Sequence, residues 1–231
     1  MGFMDRWLLT TENDCEPGRE AEFHDWWETV HVKDVLAAPG YLRGRRFQAK
    51  EQRDGRGRNL MLFEVESDDI VETLRIRDAR RKAEAAQGRH PHGLIHPIWR
   101  NVPWKPIGEQ LAPGNGVGAQ LWINMTENKC DPRREEEYAE WYDAIHVPDV
   151  LSTPGFVSAR RYKAKDLRDG RGMYLAIYEI LTGDIEATLR LRRARREAEA
   201  KAGRGVASRG TLARPVWRDV LWRQVADYRN A

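Results

Sequence analysis

Two histidines, His31 and His146, each stand four residues after an aromatic side chain, Trp27 or Tyr142, and three before an aspartate, Asp34 or Asp149. Histidine titrates near neutral pH, so an imidazole can take up and return a proton without help. On a helix, spacings of three and four place the aromatic ring, the imidazole and the carboxylate on one face. The ring then forms an apolar wall, and the carboxylate is within reach to orient the imidazole and fix its tautomer. Near a helix C-terminus, unpaired carbonyls favour the imidazolium and raise its pKa. Such a group suits proton abstraction beside a carbonyl, or addition and elimination across a conjugated bond. A structural reading stands beside the catalytic one. A histidine at a helix end can simply satisfy backbone carbonyls, and the aromatic pairs can be ordinary core.

Further residues fit the same chemistry. Arg45, Arg46, Arg160 and Arg161 lie in segments with strand character, where alternation sends one of each pair to either sheet face. An inward arginine would hold a carboxylate, phenolate or enolate oxygen with its forked donors. Arg46 and Arg161 are the candidates, and surface ion pairing is the alternative. Tyr41 and Phe156, each just after a Pro-Gly pair, are candidate wall residues. His96 is a candidate contact. It is matched by Arg214 in the second half, while His90 and His92 have no clear counterpart there. The halves thus differ, and one of them alone can be the active one. Cys15 and Cys130 precede predicted helix N-termini, where a thiolate is favoured.

These residues are positioned by an internal duplication. Trp122 falls on Trp7, Cys130 on Cys15, His146 on His31 and Gly155 on Gly40, with no gap until the end of the second helix. A short insertion follows near 206–208. A repeat this long means a duplicated domain. Each copy reads strand, helix, strand, strand, helix, strand. Helix one begins beside Pro17 or Pro132, with Asp131 as an N-cap. Pro148 predicts a kink or break just after His146. Asp-Gly turns at 54–55 and 169–170 join strands two and three. The order predicts an α+β fold of two tandem ferredoxin-like βαββαβ domains, residues 1–105 and 119–231, joined by a Gly/Pro-containing linker at 106–118. Helices cover one face of each sheet. The expectation is that the two sheets pack together as an internal pseudo-dimeric α+β barrel.

Composition narrows the function. The 231 residues carry 39 basic and 36 acidic side chains, a net charge of +3. That mixed surface argues against a polyanion partner. Arginine-rich helix two is interleaved with glutamates and reads as a solvated, ion-paired face. No apolar run reaches a membrane span and no signal pattern opens the chain, so a cytoplasmic protein without membrane partners is expected. Neither a disulfide nor a metal site is spelled by the two cysteines. No cofactor is expected, and homo-oligomerisation is open.

The run aromatic-aromatic, three residues, His-Val-x-Asp-Val-Leu-x-x-Pro-Gly-aromatic, with Ala-Arg-Arg-Tyr following in the second copy, resembles EthD-like proteins of the dimeric α+β barrel superfamily. The resemblance covers both repeats. The Trp-x-x-x-Val-His-x-x-Asp part is also similar to bacterial chalcone isomerases, whose matching histidine transfers a proton. That resemblance makes His31 the first candidate and His146 the second. The expected activity is a cofactor-independent lyase, isomerase or cyclase acting on a small aromatic or polyketide-like carbonyl compound. The alternatives are a tandem RNA-recognition-like module, for which Arg171–Tyr178 faintly resembles a third-strand motif, and a non-catalytic small-molecule-binding or oligomerisation protein.

Overall fold

The computed structural model describes residues 4–51, 57–91, 93–112, 114, 116–165, 172–202, 212–213 and 216–230, with 96–100 and 217 described by backbone alone. The Asp-Gly turns at 54–55 and 169–170 and the insertion at 206–208 lie outside the described residues. The chain is mixed α+β and divides into two compact units, residues 1–105 with 224–231, and residues 106–223.

The first unit contains β1 (Asp5–Cys15), α1 (Glu20–Trp26), a π-turn (Trp27–His31), α2 (Val32–Leu36), β2 (Tyr41–Ala49), β3 (Asn59–Ser67), α3 (Ile70–Ala86) and the start of β4 (Ile95–Leu111). β1 lies between β3 and β4, and β3 also pairs β2, all antiparallel. Alternation along the strands sends Trp7, Leu9, Tyr41, Met61, Phe63 and Val65 into one core with Phe23, Trp26, Trp27, Val32 and Val35 of the helices. The opposite sheet face is buried as well: Leu8, Thr10, Phe47, Leu60, Leu62 and Trp104 are 3% exposed or less. The Trp104 indole donates to Thr10 Oγ1 at 2.9 Å, so this buried polar pair is satisfied.

The second unit repeats the order. β5 (Gln120–Asn128) leads through a 3-10 turn (Pro132–Arg134) to α4 (Glu135–Trp141), a π-turn (Tyr142–His146) and α5 (Val147–Leu151). Then come β6 (Phe156–Ala164), β7 (Tyr174–Thr182), α6 (Ile185–Lys201) and β8 (Val216–Arg229). β5 lies between β7 and β8, and β6 pairs β7. Tyr138, Trp141, Tyr142, Phe156, Tyr174, Tyr178 and Ile180 build its core.

Local chemistry explains the element ends. Asp69 accepts from Val71 N and Glu72 N at 3.0 and 3.2 Å, Asp184 accepts from Ala187 N, and Asp131 accepts from Arg133 N. Each satisfies backbone donors that a helix start leaves open. Gly40 turns the chain into β2 with φ +83°, and a Cβ there would stand 2.5 Å from Glu66 O, so only glycine fits.

Three expectations need correction. The helix does not break after His146: it runs on through Pro148, and the irregularity is a π-turn that ends at the histidine. Lys33 occupies the matching place in the first unit, where the same π-turn occurs, so the proline is accommodated rather than causal. Residues 106–111, read as linker, continue β4, because the fixed φ of proline is compatible with extended chain. Residues 224–231, read as part of the second repeat, group with the first unit. Among the described residues no helix is long and apolar enough to cross a membrane.

Candidate active site

The π-turn is the feature that assembles each candidate site. It inserts one residue into the helical turn, so residues five apart line up. His31 therefore stacks on Trp26, with ring centroids 4.6 Å apart and planes at 30°. Trp27 meets the same imidazole edge-on at 4.6 Å, and His90 meets it at 5.5 Å and 86°. His146 repeats this on Trp141 at 4.9 Å and 19°, with Tyr142 edge-on at 4.9 Å and Tyr178 at 6.1 Å. Trp27 and Tyr142 thus lie against the histidines that they precede by four residues. Trp26 and Trp141, the stacking partners, were not singled out, because five-residue spacing is invisible to a 3.6-residue pattern.

Both histidines keep an edge at the surface while Nδ1 faces the packed interior, shielded from solvent and without a hydrogen-bond partner. Burial pushes the His31 pKa well below 6.5, and Arg77, His90 and Arg81 add to it. Burial and Arg192 bring His146 down to about 4, against the opposing pull of Asp149. This reverses the rise expected at a helix end: the helix continues, so its carbonyls are already used, and desolvation dominates. Both imidazoles are thus held neutral.

The aspartates serve elsewhere. Asp34 is gripped by two N–H groups of Arg89, and Asp149 accepts from Arg192 Nη2 at 2.7 Å. The one-turn contacts expected from Asp34 to His31 and from Asp149 to His146 are not formed, since an arginine claims each carboxylate.

Arg46 and Arg161 both face the helices. Arg46 is 3% exposed, pairs with Glu28 at 3.5 Å, contacts His24 Nδ1 and lies over the Phe23 ring at 5.7 Å. Arg161 donates to Asp143 Oδ1 at 2.7 Å and to Ala139 O at 3.1 Å, and lies over Tyr142 at 4.9 Å. Neither points unpaired into a cavity, so the anion-holding role expected of them has no open donor fork behind it. Tyr41 is buried, with its hydroxyl unpartnered and its pKa pushed up to about 12 by burial. Phe156 packs edge-on to Tyr178. His96 stands opposite Asp14 in the strand register, and its side chain lies outside the described residues.

The thiols of Cys15 and Cys130 are buried and their pKa values are raised, chiefly by burial, against the thiolate reading. Arg75, Arg81 and Lys82 pair with Glu72 and Asp78 as expected of an ion-paired face. Both faces of β7 are buried, from Tyr174 to Tyr178, so these rings cannot stack on bases as an RNA-recognition sheet would require. A cavity of about 270 Å³, lined by residues including Asp14, Cys15, Glu20, His24, Arg58 and Asn59, opens on the first unit, and none of its lining residues is His31, His90 or Trp26. Among the described residues, no group of three His, Cys, Asp or Glu side chains is placed to hold a metal ion.

No family model matches the chain, and no curated protein matches it by sequence. Solved structures do share its fold. An anthrone oxidase-like protein superposes with a TM-score of 0.62 at 15% identity, over 98% of this chain and 93% of that one. A candidate monooxygenase from Fusobacterium nucleatum gives 0.59 at 10% identity, over 99% and 96%. A variant chlorite dismutase from Candidatus Nitrospira defluvii gives 0.56 at 13%, over 96% and 92%. The likeness is one of fold.

Proposed function

We propose that this chain is a small-molecule enzyme in which the neutral imidazole of His31 removes a proton from a small aromatic or polyketide-like carbonyl compound, with lyase, isomerase or cyclase outcomes set by the bond that follows. The observation that carries the reading is the His31 imidazole, stacked on Trp26, edge-on to Trp27 and left at the surface along one edge, where a substrate can meet it. His146 is a second site or a retained framework residue. Trp27 and Tyr41 line the first site and Tyr142 and Phe156 the second. The reading extends to architecture: two tandem ferredoxin-like repeats forming an internal pseudo-dimeric barrel. Burial of both sheet faces in the first unit supports this.

A second reading comes from the names of the structural neighbours, a candidate monooxygenase and an anthrone oxidase-like protein. The same deprotonation would leave a carbanion able to pass electrons to dioxygen as a second substrate, forming a carbon–oxygen bond. Both readings begin with the proton, and the test addresses that step. Small aromatic ketones and anthrone-like compounds are incubated with the protein in D2O, and exchange of the acidic C–H is followed by NMR. Loss of general base help lowers rate by about 100- to 10,000-fold, so His31→Gln should slow exchange by at least the lower figure while its circular dichroism stays unchanged. Undiminished exchange in a folded His31→Gln protein would return the histidine to a structural role.

A further inference from the structure

We propose that His90 is the second proton-handling group of this site and that Asp34, acting through Arg89, is the residue that positions it. The inference rests on the reading of His31 as the base. It begins at the end of α3, where Gly88 turns the chain with φ +75° and Arg89 N donates back to Glu84 O at 3.1 Å. This is a glycine-terminated helix end whose exit direction is fixed by backbone hydrogen bonds. Two further contacts then hold Arg89. Its carbonyl accepts from the Trp26 indole at 2.7 Å, and its guanidinium grips the buried Asp34 carboxylate with two N–H groups. A forked arginine–carboxylate contact fixes orientation as well as distance.

Held at carbonyl and side chain, Arg89 delivers the next residue onto the aromatic stack. The His90 ring stands 5.4 Å from Trp26 and 5.5 Å from His31, edge-on to both. Its Nε2 stands 3.6 Å from Glu84 Oε2, an ion-pair distance rather than a hydrogen bond. Glu84 is in turn bridged by Arg77 at 3.0 Å, and both side chains are about nine-tenths buried. The groups facing the histidine pair are therefore Arg77, Arg81 and Glu84 from α3, Asp34 from α2, Arg89 beyond α3, and the Tyr41 hydroxyl from β2 through Arg77.

The arrangement answers a need the single base leaves open. A buried imidazole flanked by arginines holds a proton poorly, so a proton taken by His31 must leave. His90 is the adjacent acceptor, and the Glu84 carboxylate offsets the charge it then carries. The C–H bond of the substrate breaks with its electron pair left on carbon, the proton passes to His31 and then to His90, and water takes it from the part of the His90 side chain, 16% exposed, that meets solvent away from the buried Nε2. Nothing is oxidised or reduced. The second repeat lacks the device: the chain has six histidines, and His146 is its only one after His96. There Asp149 turns to Arg192, the counterpart of Arg77. The same aspartate is wired to a helix in one unit and to the His90 segment in the other.

The test uses the full chain labelled with 15N-histidine and reads each imidazole by NMR as pH is lowered, in wild type, His90→Gln, Asp34→Asn and Asp34→Glu. His146 is the internal control. The expected result is that His90→Gln raises the pKa of His31 by about one pH unit or more, since a neighbouring cation and packed ring are lost. Asp34→Asn should shift His90 and His31 together, with Asp34→Glu restoring part of the effect and His146 unmoved. If the His31 titration superposes on wild type in folded His90→Gln and Asp34→Asn proteins, the proposal is overturned. Should His90→Gln not fold, Asp34→Asn decides alone, because both histidines remain in the chain. Coupled titration with full proton exchange in His31→Gln would leave the pair standing and remove the catalytic reading, whereas uncoupled titration with exchange lost in His31→Gln would do the reverse.

Discussion

Acid should destabilise this protein through His146, and the size of the effect follows from where the ring sits. Burial against Trp141 and Tyr142, with Arg192 nearby, brings its pKa from 6.5 to about 4. An unfolded chain holds the imidazole at its ordinary value, so between those two pH values the unfolded state binds the proton and the folded state resists it. Stability contributed by this group is therefore complete above the unfolded pKa and falls as pH drops below it. One pKa unit corresponds to about 1.4 kcal/mol. Linkage then gives a loss of about 2 kcal/mol at pH 5 and about 3 kcal/mol at pH 4. Both are upper limits, because one edge of the ring meets solvent and screening weakens the effect. Asp149, Arg161, Arg192 and Arg196 also act on the ring. Their own pH dependence cancels when wild type is compared with His146→Gln, since glutamine keeps a polar side chain but takes no proton in this range. Urea unfolding followed by tryptophan fluorescence at pH 7, 5 and 4 measures the difference. The wild type should lose more stability than the variant by up to the stated amounts. A constant offset between the two proteins across that range would refute the reasoning that the imidazole is buried neutral.

Two further outcomes follow from the same packing. Arg161→Lys should lower stability by about 1–2 kcal/mol in urea unfolding, because lysine keeps the charge near Asp143 but gives up the planar stack over Tyr138 and Tyr142. Unchanged unfolding would show that the stack adds nothing. The Cys15 and Cys130 thiols, buried and raised in pKa, should react with a disulfide reagent at pH 8 far more slowly in the native protein than after unfolding in urea. Native reaction at the unfolded rate would contradict that burial.

Much of the fold was legible because the chain says it twice. Element order follows from the duplicated pattern, and β2 (Tyr41–Ala49) and β6 (Phe156–Ala164) carry the arginine pairs whose segments read as strands. Asp69, Asp131 and Asp184 cap helices as their side chains dictate. The site was less legible, for reasons that can be named. Helical periodicity assumes 3.6 residues per turn, and the π-turns violate it just where His31 and His146 lie. The predicted rise in histidine pKa assumed a helix end, and α2 and α5 supply no such end. Asp34 was paired by spacing with its neighbour, whereas its partner Arg89 is 55 residues away. His90 carried one readable signal, its lack of a counterpart in the second half.

The duplication also separates framework from specialisation. A feature built identically in both units answers a need of the fold or of both sites, and the π-turn with histidine stacked on tryptophan is such a feature. What differs belongs to one unit. Phe23, Trp27, Asn59 and Phe63 of the first unit are answered by Tyr138, Tyr142, Tyr174 and Tyr178 in the second. The second core consequently needs polar partners, and Asn128 supplies them by accepting from the Tyr138 hydroxyl at 2.7 Å and donating to that of Tyr142 at 3.3 Å. The first unit keeps apolar rings around its histidine and brings in an imidazole from a distant segment. An apolar wall with a second titratable ring favours moving a proton, whereas a network of raised-pKa phenols favours holding a fixed pattern of hydrogen bonds. The proton chemistry proposed for the first unit therefore depends on side chains that the two copies do not share.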